Sequence, residues 1–327
     1  MSTRKLLVTG GCGFIGSNFI RYVLNKRTDI SVLNLDKLTY SGNISNLSDI
    51  KSHPRYRFIK GDICDRLKVK RLMKGVWGVI NFAAETHVDR SIQNADAFLK
   101  TNILGVHSLL EAARANRIAR FLHISTDEVY GSLAKGDARE DAALQPNNPY
   151  SASKAAADAL VRSYHVTYGL PALITRSSNN FGPSQFPEKV VPLFITNLME
   201  GKKVPLYGKG KNERDWFFVL DNVRAQDLVL HRGKAGEIYN IGGGRPISNL
   251  RLTKNILKAC GKPDSFIRFV RDRPGHDFRY SLNVEKVRKL GFQPQFSFEE
   301  ALYLTVAWYR QNVHWWKPLK NDAFTVK

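Results

Sequence analysis

Leu6-Leu7-Val8-Thr9-Gly10-Gly11-Cys12-Gly13-Phe14-Ile15-Gly16 is a short apolar run meeting three glycines spaced three apart, Gly10, Gly13 and Gly16. Apolar residues then recur at helical spacing at Phe19, Ile20, Val23 and Leu24. The pattern predicts strand, tight glycine turn, helix. The glycines have distinct physical roles, namely a turn with positive φ, close approach of backbone to a pyrophosphate, and close packing of helix on strand. Phe14 and Ile15 open the helix, whose free N–H groups and positive dipole end suit phosphate. A second apolar run, Ile30 to Leu35, ends in Asp36, twenty residues after Gly16. A carboxylate there accepts hydrogen bonds from the adenosine ribose and disfavours a 2′-phosphate, so NAD is expected over NADP.

Working outward, ligands of such a fold bind along the carboxyl ends of the strands. The loop after Asp36, with Lys37, Leu38 and Thr39, lies on that edge. A third strand, Arg57 to Lys60, leads to Asp62 and Ile63, where an adenine could lie. A fourth, Gly78 to Phe82, ends at Ala83 and Ala84, small enough for a cofactor to rest on the backbone. The polar run from Glu85 through Thr86 to Ser91 follows. Phe98 to Ala115 reads as an amphipathic helix, Arg120 to Ile124 as the fifth strand and Ala172 to Thr175 as the sixth. Strands alternating with helices predict an α/β fold, a Rossmann-type doubly wound parallel sheet with a smaller C-terminal α/β substrate-binding domain. The division falls at 1–178 and 179–327, with later segments returning to the first domain.

Size and composition narrow the function classes. A chain of 327 residues is long enough for about two domains. No apolar run reaches the ~18 residues of a membrane span, and Met1 to Lys5 leaves no room for a signal peptide before the first strand. Three cysteines, Cys12, Cys64 and Cys260, show neither disulfide nor metal spacing, so no metal is expected and a cytoplasmic location fits. The net charge of +21 is large. Its basic residues are scattered and no nucleic-acid-binding motif appears, which favours an anionic small substrate over nucleic acid.

Two stretches carry chemistry. The fifth strand runs into Ser125-Thr126-Asp127-Glu128-Val129-Tyr130-Gly131, a hydroxyl beside two carboxylates. In an extended strand Asp127 and Glu128 would point to opposite faces, so the backbone must curl there. Tyr150 and Lys154 stand four apart on a helix and share a face. A free phenol titrates near ~10 and is a poor base at neutral pH. The Lys154 ammonium, helped by a nicotinamide's positive charge, is expected to favour the phenolate.

On these residues the chain resembles the extended short-chain dehydrogenases/reductases, and among them the nucleotide-sugar 4,6-dehydratases. The resemblance covers roughly residues 5 to 312. Its motifs include Thr-Gly-Gly-x-Gly-Phe-Ile-Gly (9–16), Asp-Lys-Leu-Thr-Tyr (36–40), Glu-Thr-His-Val-Asp-Arg-Ser-Ile (85–92), Ser-Thr-Asp-Glu-Val-Tyr-Gly (125–131) and Tyr-Ser-Ala-Ser-Lys (150–154). Phe-Pro-Glu-Lys (186–189), Arg-Asp-Trp (214–216) and Asp-Arg-Pro-Gly-His-Asp (272–277) continue it. Thr86 stands where serine is usual and Phe181 where tyrosine is usual. The segment from Gly131 to Tyr150 is shorter than in the bacterial rhamnose-pathway enzymes.

The resemblance implies a lyase acting on dTDP-glucose, with UDP-glucose as the alternative, and a homodimer formed by helices around 98–115 and 150–168. It adds Thr101 and Asn180 to the cofactor contacts, beside Tyr150 and Lys154. For the nucleotide sugar it implies Thr86, Thr126, Asn179, Lys189, Val190 and Pro205, followed by Tyr207, Arg214, Asn249, Arg273 and His276. The catalytic set it implies is Thr126, Asp127, Glu128, Tyr150 and Lys154. Two carboxyl groups in opposite protonation states suit removal of water. A simple epimerase or a decarboxylase needs no such acid, and a non-catalytic NAD sensor or RNA binder needs none of the five. Towards the end, Gly242-Gly243-Gly244 reads as a turn, Glu299 to Tyr309 as a closing helix, Trp315-Trp316 as packing against the body, and Lys320 to Lys327 as a frayed tail.

Overall fold

In a computed structural model, which describes residues 3–272 and 277–321, the opening run forms β1 (Arg4–Thr9). It is followed by β2 (Ile30–Asp36), β3 (Tyr56–Lys60), β4 (Gly78–Asn81), β5 (Arg120–Thr126) and β6 (Ala172–Ser177). Shorter strands come next: β7 (Asn179–Phe181), β8 (Val204–Tyr207), β9 (Glu213–Phe218), β10 (Ile238–Ile241), β11 (Pro246–Ser248) and β12 (Ile267–Val270). The main sheet has seven strands in the order β10-β6-β5-β4-β1-β2-β3, all paired parallel. Strand order reverses between β1 and β4, which opens a crevice at their carboxyl ends. As expected, a late segment, β10, returns to this sheet.

Alternation along the strands fills both faces. Leu6 and Val8 pack with Phe19, Ile20 and Val23 on one side, while Leu7 packs with Val79, Leu109 and Phe121 on the other. Gly10 adopts φ +68°, and a Cβ there would sit 2.5 Å from the Ala83 nitrogen. At Gly16 a Cβ would sit 2.4 Å from the Gly10 carbonyl oxygen. These contacts let the helix Phe14–Lys26 start directly against the sheet.

Beyond β6 lie a small sheet in the order β11-β9-β7 and the parallel pair β12-β8. The Gly242-Gly243-Gly244 turn wraps Asp215, whose carboxylate accepts the Gly244 and Arg245 N–H groups. The closing helix is Phe298–Gln311, started by a Ser297/Glu300 capping box. Trp316 is buried and donates to the Tyr309 carbonyl, and Trp315 donates to Asn46. Among the described residues no helix is long and apolar enough to cross a membrane.

Two readings are corrected. The helix expected from Phe98 to Ala115 widens to π geometry over Leu99–Gly105 before resuming over Val106–Ala115. Within the widened turn the buried Asn102 side chain takes the Glu85 N–H and donates to the Glu85 carbonyl and Ser153 Oγ. Propensity does not encode a tertiary contact of that kind. Lys320, expected in a frayed tail, belongs to the helix Val313–Asn321, and its ammonium donates to Asn197 and Glu200. Residues 322–327 of that expected tail lie outside the described residues.

Substituting Gly16→Ala forces a methyl against the Gly10 carbonyl, an overpacking that costs ~1–3 kcal/mol. Thermal unfolding should show the loss, and a melting curve equal to the parent's would refute the close-packing account.

Candidate active site

A cavity of about 310 Å³ runs along the carboxyl edge of the main sheet. Its far end is the glycine turn. Gly13 precedes the first helix as an extended N-cap with no side-chain bond to it, leaving the first N–H groups bare towards the cavity. Asp36 closes β2 with both carboxylate oxygens engaged: Cys12 N donates to one and Leu38 N to the other, each at 2.8 Å. Burial raises the Asp36 carboxyl, and the two N–H bonds oppose the shift. Lys37 pairs with Asp62 at 2.8 Å. Ile63, Ala83, Ala84, Thr101 and Asn180 complete this half of the lining. Of the residues expected at the cofactor, Leu38 alone does not line the cavity. Its backbone, at φ +58°, holds Asp36 in place.

The other half is built at the end of β5. Thr126 caps a single 3-10 turn, Asp127–Tyr130, by accepting the Glu128 N–H at 3.3 Å. That turn supplies the curl a strand could not, and Thr126, Asp127 and Glu128 all reach the cavity. Thr126 Oγ1 donates to Asp127 Oδ1 at 3.1 Å. Among the described residues the other Asp127 oxygen is buried with no hydrogen-bond partner. Burial, then the neighbouring Glu128 charge, push the Asp127 carboxyl up to about 8. A buried carboxyl so raised holds its proton at neutral pH.

Tyr150 and Lys154 come from the helix Pro149–Tyr168, begun by a capping box of Asn148 with Ser151. Lys154 Nζ donates to the Ile124 carbonyl at 2.6 Å. Burial lowers Lys154 to about 8, with Asp158 opposing. The protein's own groups alone do not favour the Tyr150 phenolate. Burial, then Glu128, push the Tyr150 phenol well above its ordinary range, against a hydrogen bond with Thr126. An enclosed hydroxyl facing carboxylates costs more to ionise than one ammonium returns.

Thr86, Asn179 and Lys189 of the expected substrate contacts also line the cavity, and Lys189 Nζ donates to the Thr86 carbonyl at 3.4 Å. Val190, Pro205, Tyr207, Arg214 and Asn249 lie outside that lining, on the elements of the second half. Val190 begins the helix Val190–Met199, Pro205 and Tyr207 sit on β8, and Asn249 begins the helix Asn249–Cys260. Arg214 sits on β9, donates to the Glu213, Asp277 and Phe278 carbonyls and lies 4.2 Å over the Tyr280 ring. Arg273 and His276 lie outside the described residues. Phe181 packs in the core against Phe218 and Phe298. The short segment after Gly131 is fastened to residues 277–283 by Ser132, by an Ala138–Leu282 bridge and by Asn147 donating to Asp277.

Sequence reasoning passed over Glu188. It lines the cavity with its side chain 3 % exposed, 3.4 Å from Arg90 and 3.7 Å from His87. Arg90 in turn lies 3.9 Å over the Tyr40 ring. Its position beside Lys189 in the Phe-Pro-Glu-Lys stretch was the available signal.

The family model described as GDP-mannose 4,6 dehydratase matches residues 7–305. A dTDP-glucose 4,6-dehydratase of Streptomyces niveus is 52% identical over 97% of this chain and 96% of its own length. The low-salt glycan biosynthesis protein Agl12 of Haloferax volcanii is 52% identical over 93% of this chain and 98% of its own. The crystal structure of DesIV, a dTDP-glucose 4,6-dehydratase from Streptomyces venezuelae with NAD and TYD bound, superposes with a TM-score of 0.94. It is 50% identical and covers 96% of this chain and 99% of that one.

Between pH 3.8 and about 8 the folded protein keeps a proton on Asp127 that the unfolded chain has released. Stability therefore falls as pH rises through that window. Asp127→Asn removes the penalty, so the variant should melt above the parent at pH 8 and converge with it towards pH 4. An equal difference at both ends would contradict the raised carboxyl.

Proposed function

Because the chain belongs to the GDP-mannose 4,6 dehydratase family, we propose that its cavity converts dTDP-glucose to dTDP-4-keto-6-deoxyglucose and water, with NAD recycled. The observation that carries this is the protonated Asp127 beside Glu128, at the same strand end as Tyr150. Oxidation and epimerisation at C4 need one base. Loss of a C6 hydroxyl needs, in addition, an acid that still holds its proton.

The residues present fit NAD. The bare N–H groups after Gly13 suit the pyrophosphate, and the Asp36 carboxylate at the strand end suits the adenosine ribose. Asp62 and Ile63, which line the cavity, would hold the adenine. Ala83, Ala84, Thr101 and Asn180 support the rest. Bound there, NAD supplies the acceptor for the sugar's C4 hydride and the donor that returns it at C6.

The chain's own groups move the protons. Tyr150 takes the C4 hydroxyl proton while Thr126 hydrogen-bonds the same oxygen. The Lys154 ammonium and the nicotinamide charge together offset the burial that holds the phenol up. The C4 ketone acidifies the C5 hydrogen, which Glu128 removes. Asp127 gives its proton to the C6 hydroxyl, which leaves as water, and Glu128 reprotonates C5. Thr86, Asn179 and Lys189 hold the sugar end. Arg214 serves the diphosphate, since a guanidinium fork donates two parallel bonds. Val190, Pro205, Tyr207 and Asn249 complete the nucleotide end together with Arg273 and His276.

The domain division near residue 178 is supported by the change of sheet between β6, ending at Ser177, and β7, starting at Asn179. Leu99, Leu104, Val166 and Tyr168 are exposed on the two helical segments expected to pair between subunits, which supports a homodimer. A cytoplasmic setting agrees with three free cysteines.

Incubation with dTDP-glucose should yield the keto sugar without net consumption of NAD, and faster than with UDP-glucose. Stoichiometric loss of NAD would refute the reaction. Asp127→Asn should slow release of water by roughly 10²–10⁴-fold while C4 oxidation persists, seen as reduced nicotinamide held on the enzyme. Unchanged turnover would remove the acid role. Leu104→Arg should convert the sedimenting species from dimer to monomer, and a parent that already sediments as a monomer would dismiss the pairing surface.

A further inference from the structure

Behind Lys154 runs a buried polar chain that none of these proton steps uses. Thr9 Oγ1 donates to Asn81 Oδ1 at 2.6 Å. Asn81 Nδ2 lies 3.1 Å from His123 Nδ1. His123 Nε2 lies 3.4 Å from Lys154 Nζ and 3.8 Å from Asp158 Oδ1. Arg176 Nε donates to Asp158 Oδ2 at 2.9 Å, and Arg176 Nη1 donates to the Tyr130 hydroxyl at 2.8 Å. Tyr130 in turn donates to Asn240 Oδ1 at 2.9 Å. All eight residues are buried, and the chain crosses the sheet from β1 to β10.

Donor and acceptor roles propagate along it. Asn81 accepts the Thr9 proton on its oxygen, so its amide group donates to His123 Nδ1. The neutral imidazole then carries its hydrogen on Nε2. Burial and the Lys154 charge hold His123 well below the usual histidine range, so the ring stays neutral. An Nε2–H cannot accept from Lys154. It faces Asp158 Oδ1 at 3.8 Å, on a carboxyl that Ser125 also hydrogen-bonds.

Counting charge, the cluster holds two cations, Lys154 and Arg176, and one carboxylate. A neutral Asp158 would leave the permanently charged Arg176 buried without an anion, which is strongly unfavourable. Burial raises the Asp158 carboxyl, and Arg176 and Lys154 oppose the rise. Asp158 stands four residues after Lys154 and eight after Tyr150, on the same helix face. The other groups facing this cluster are Ser125 on β5, Tyr130 on the turn, and Glu140, while Asp127 and Glu128 face Tyr150. The Glu140 carbonyl accepts from Arg176 and its carboxylate accepts from Asn240.

We propose that Asp158, oriented by Arg176 and by the Nε2–H of His123, is the counter-charge that keeps Lys154 an ammonium while Tyr150 becomes a phenolate. Asp158 is thus a positioning residue for C4 oxidation. This rests on the reaction assigned above. Tyr150 and Lys154 titrate as a pair, and once one proton has left, only the phenolate–ammonium form is productive. Asp158 holds the Lys154 proton on against burial, and without it the pair shifts further towards phenol and amine.

The test is rapid mixing of holoenzyme with dTDP-glucose across a pH series, reading reduced nicotinamide. In Asp158→Asn, C4 oxidation should slow tenfold or more at pH 7. Its rise with pH should be displaced upward by about 1–3 units, so that alkali rescues the variant. Asp158→Glu should restore most of the parent profile. A uniform loss with an undisplaced profile, or no change in folded protein, overturns the proposal. Should Asp158→Asn strand Arg176 and prevent folding, the same substitution combined with Arg176→Met removes both charges and must show the same displacement. On the parent, ¹⁵N shifts of His123 should report a neutral Nε2–H ring at pH 7, and a charged ring or the other tautomer also overturns it. A parent that never oxidises C4 refutes the assigned reaction instead, which keeps the two failures apart.

Discussion

Parallel pairing of β5 with β4 and β6 is the constraint on which the site depends. It places the carboxyl ends of three strands side by side, and everything reactive hangs from those ends. Parallel strands need crossover helices, and the helix Pro149–Tyr168 is one of them. Its first turn brings Tyr150 and Lys154 back over the end of β5, within reach of Thr126, Asp127 and Glu128. The glycine turn after β1 closes the opposite end of the same crevice. Sheet topology therefore brings together residues that are more than a hundred positions apart in the chain.

Enclosure then sorts the ionisable groups. Depth alone drives Asp127 towards its neutral form and Lys154 towards its neutral form, and it disfavours a Tyr150 phenolate. Identical solvent exclusion thus produces an acid that keeps its proton and a phenol that resists losing one. The protein answers the second effect with buried positive charge. Lys154 and Arg176 outnumber Asp158, and the excess is a standing electrostatic demand for an anion at the strand end. Burial and the Glu128 charge raise both groups, which suits Asp127 as the acid and leaves Tyr150 in need of positive charge.

Much of this was legible in the sequence, for reasons that differ by residue. The glycine spacing and Asp36 were readable because phosphate and ribose contacts tolerate few alternatives in backbone geometry. Tyr150 and Lys154 were readable because helical spacing puts them on one face. The protonation of Asp127 was an inference from chemistry that the burial at the end of β5 explains. The π-widened turn around Asn102 was not legible, since it answers to Glu85 and Ser153, contacts far from it in sequence. Glu188 was passed over because its environment, Arg90 and His87, comes from another element. The tautomer of His123 belongs to no local pattern at all; it follows from a chain of hydrogen bonds crossing strands.

The return of β10 to the edge of β6 constrains the order in which the chain can be made. Until residues 238–241 have been synthesised, β6 presents a free row of backbone amides and carbonyls. The first domain is then an unfinished sheet with an adhesive rim during synthesis of the intervening sixty or so residues. Completing it requires a contact of high sequence separation, which slows folding. Nascent chains stalled between β6 and β10 are consequently the stage at which this protein is most exposed to intermolecular strand pairing and most in need of chaperone cover.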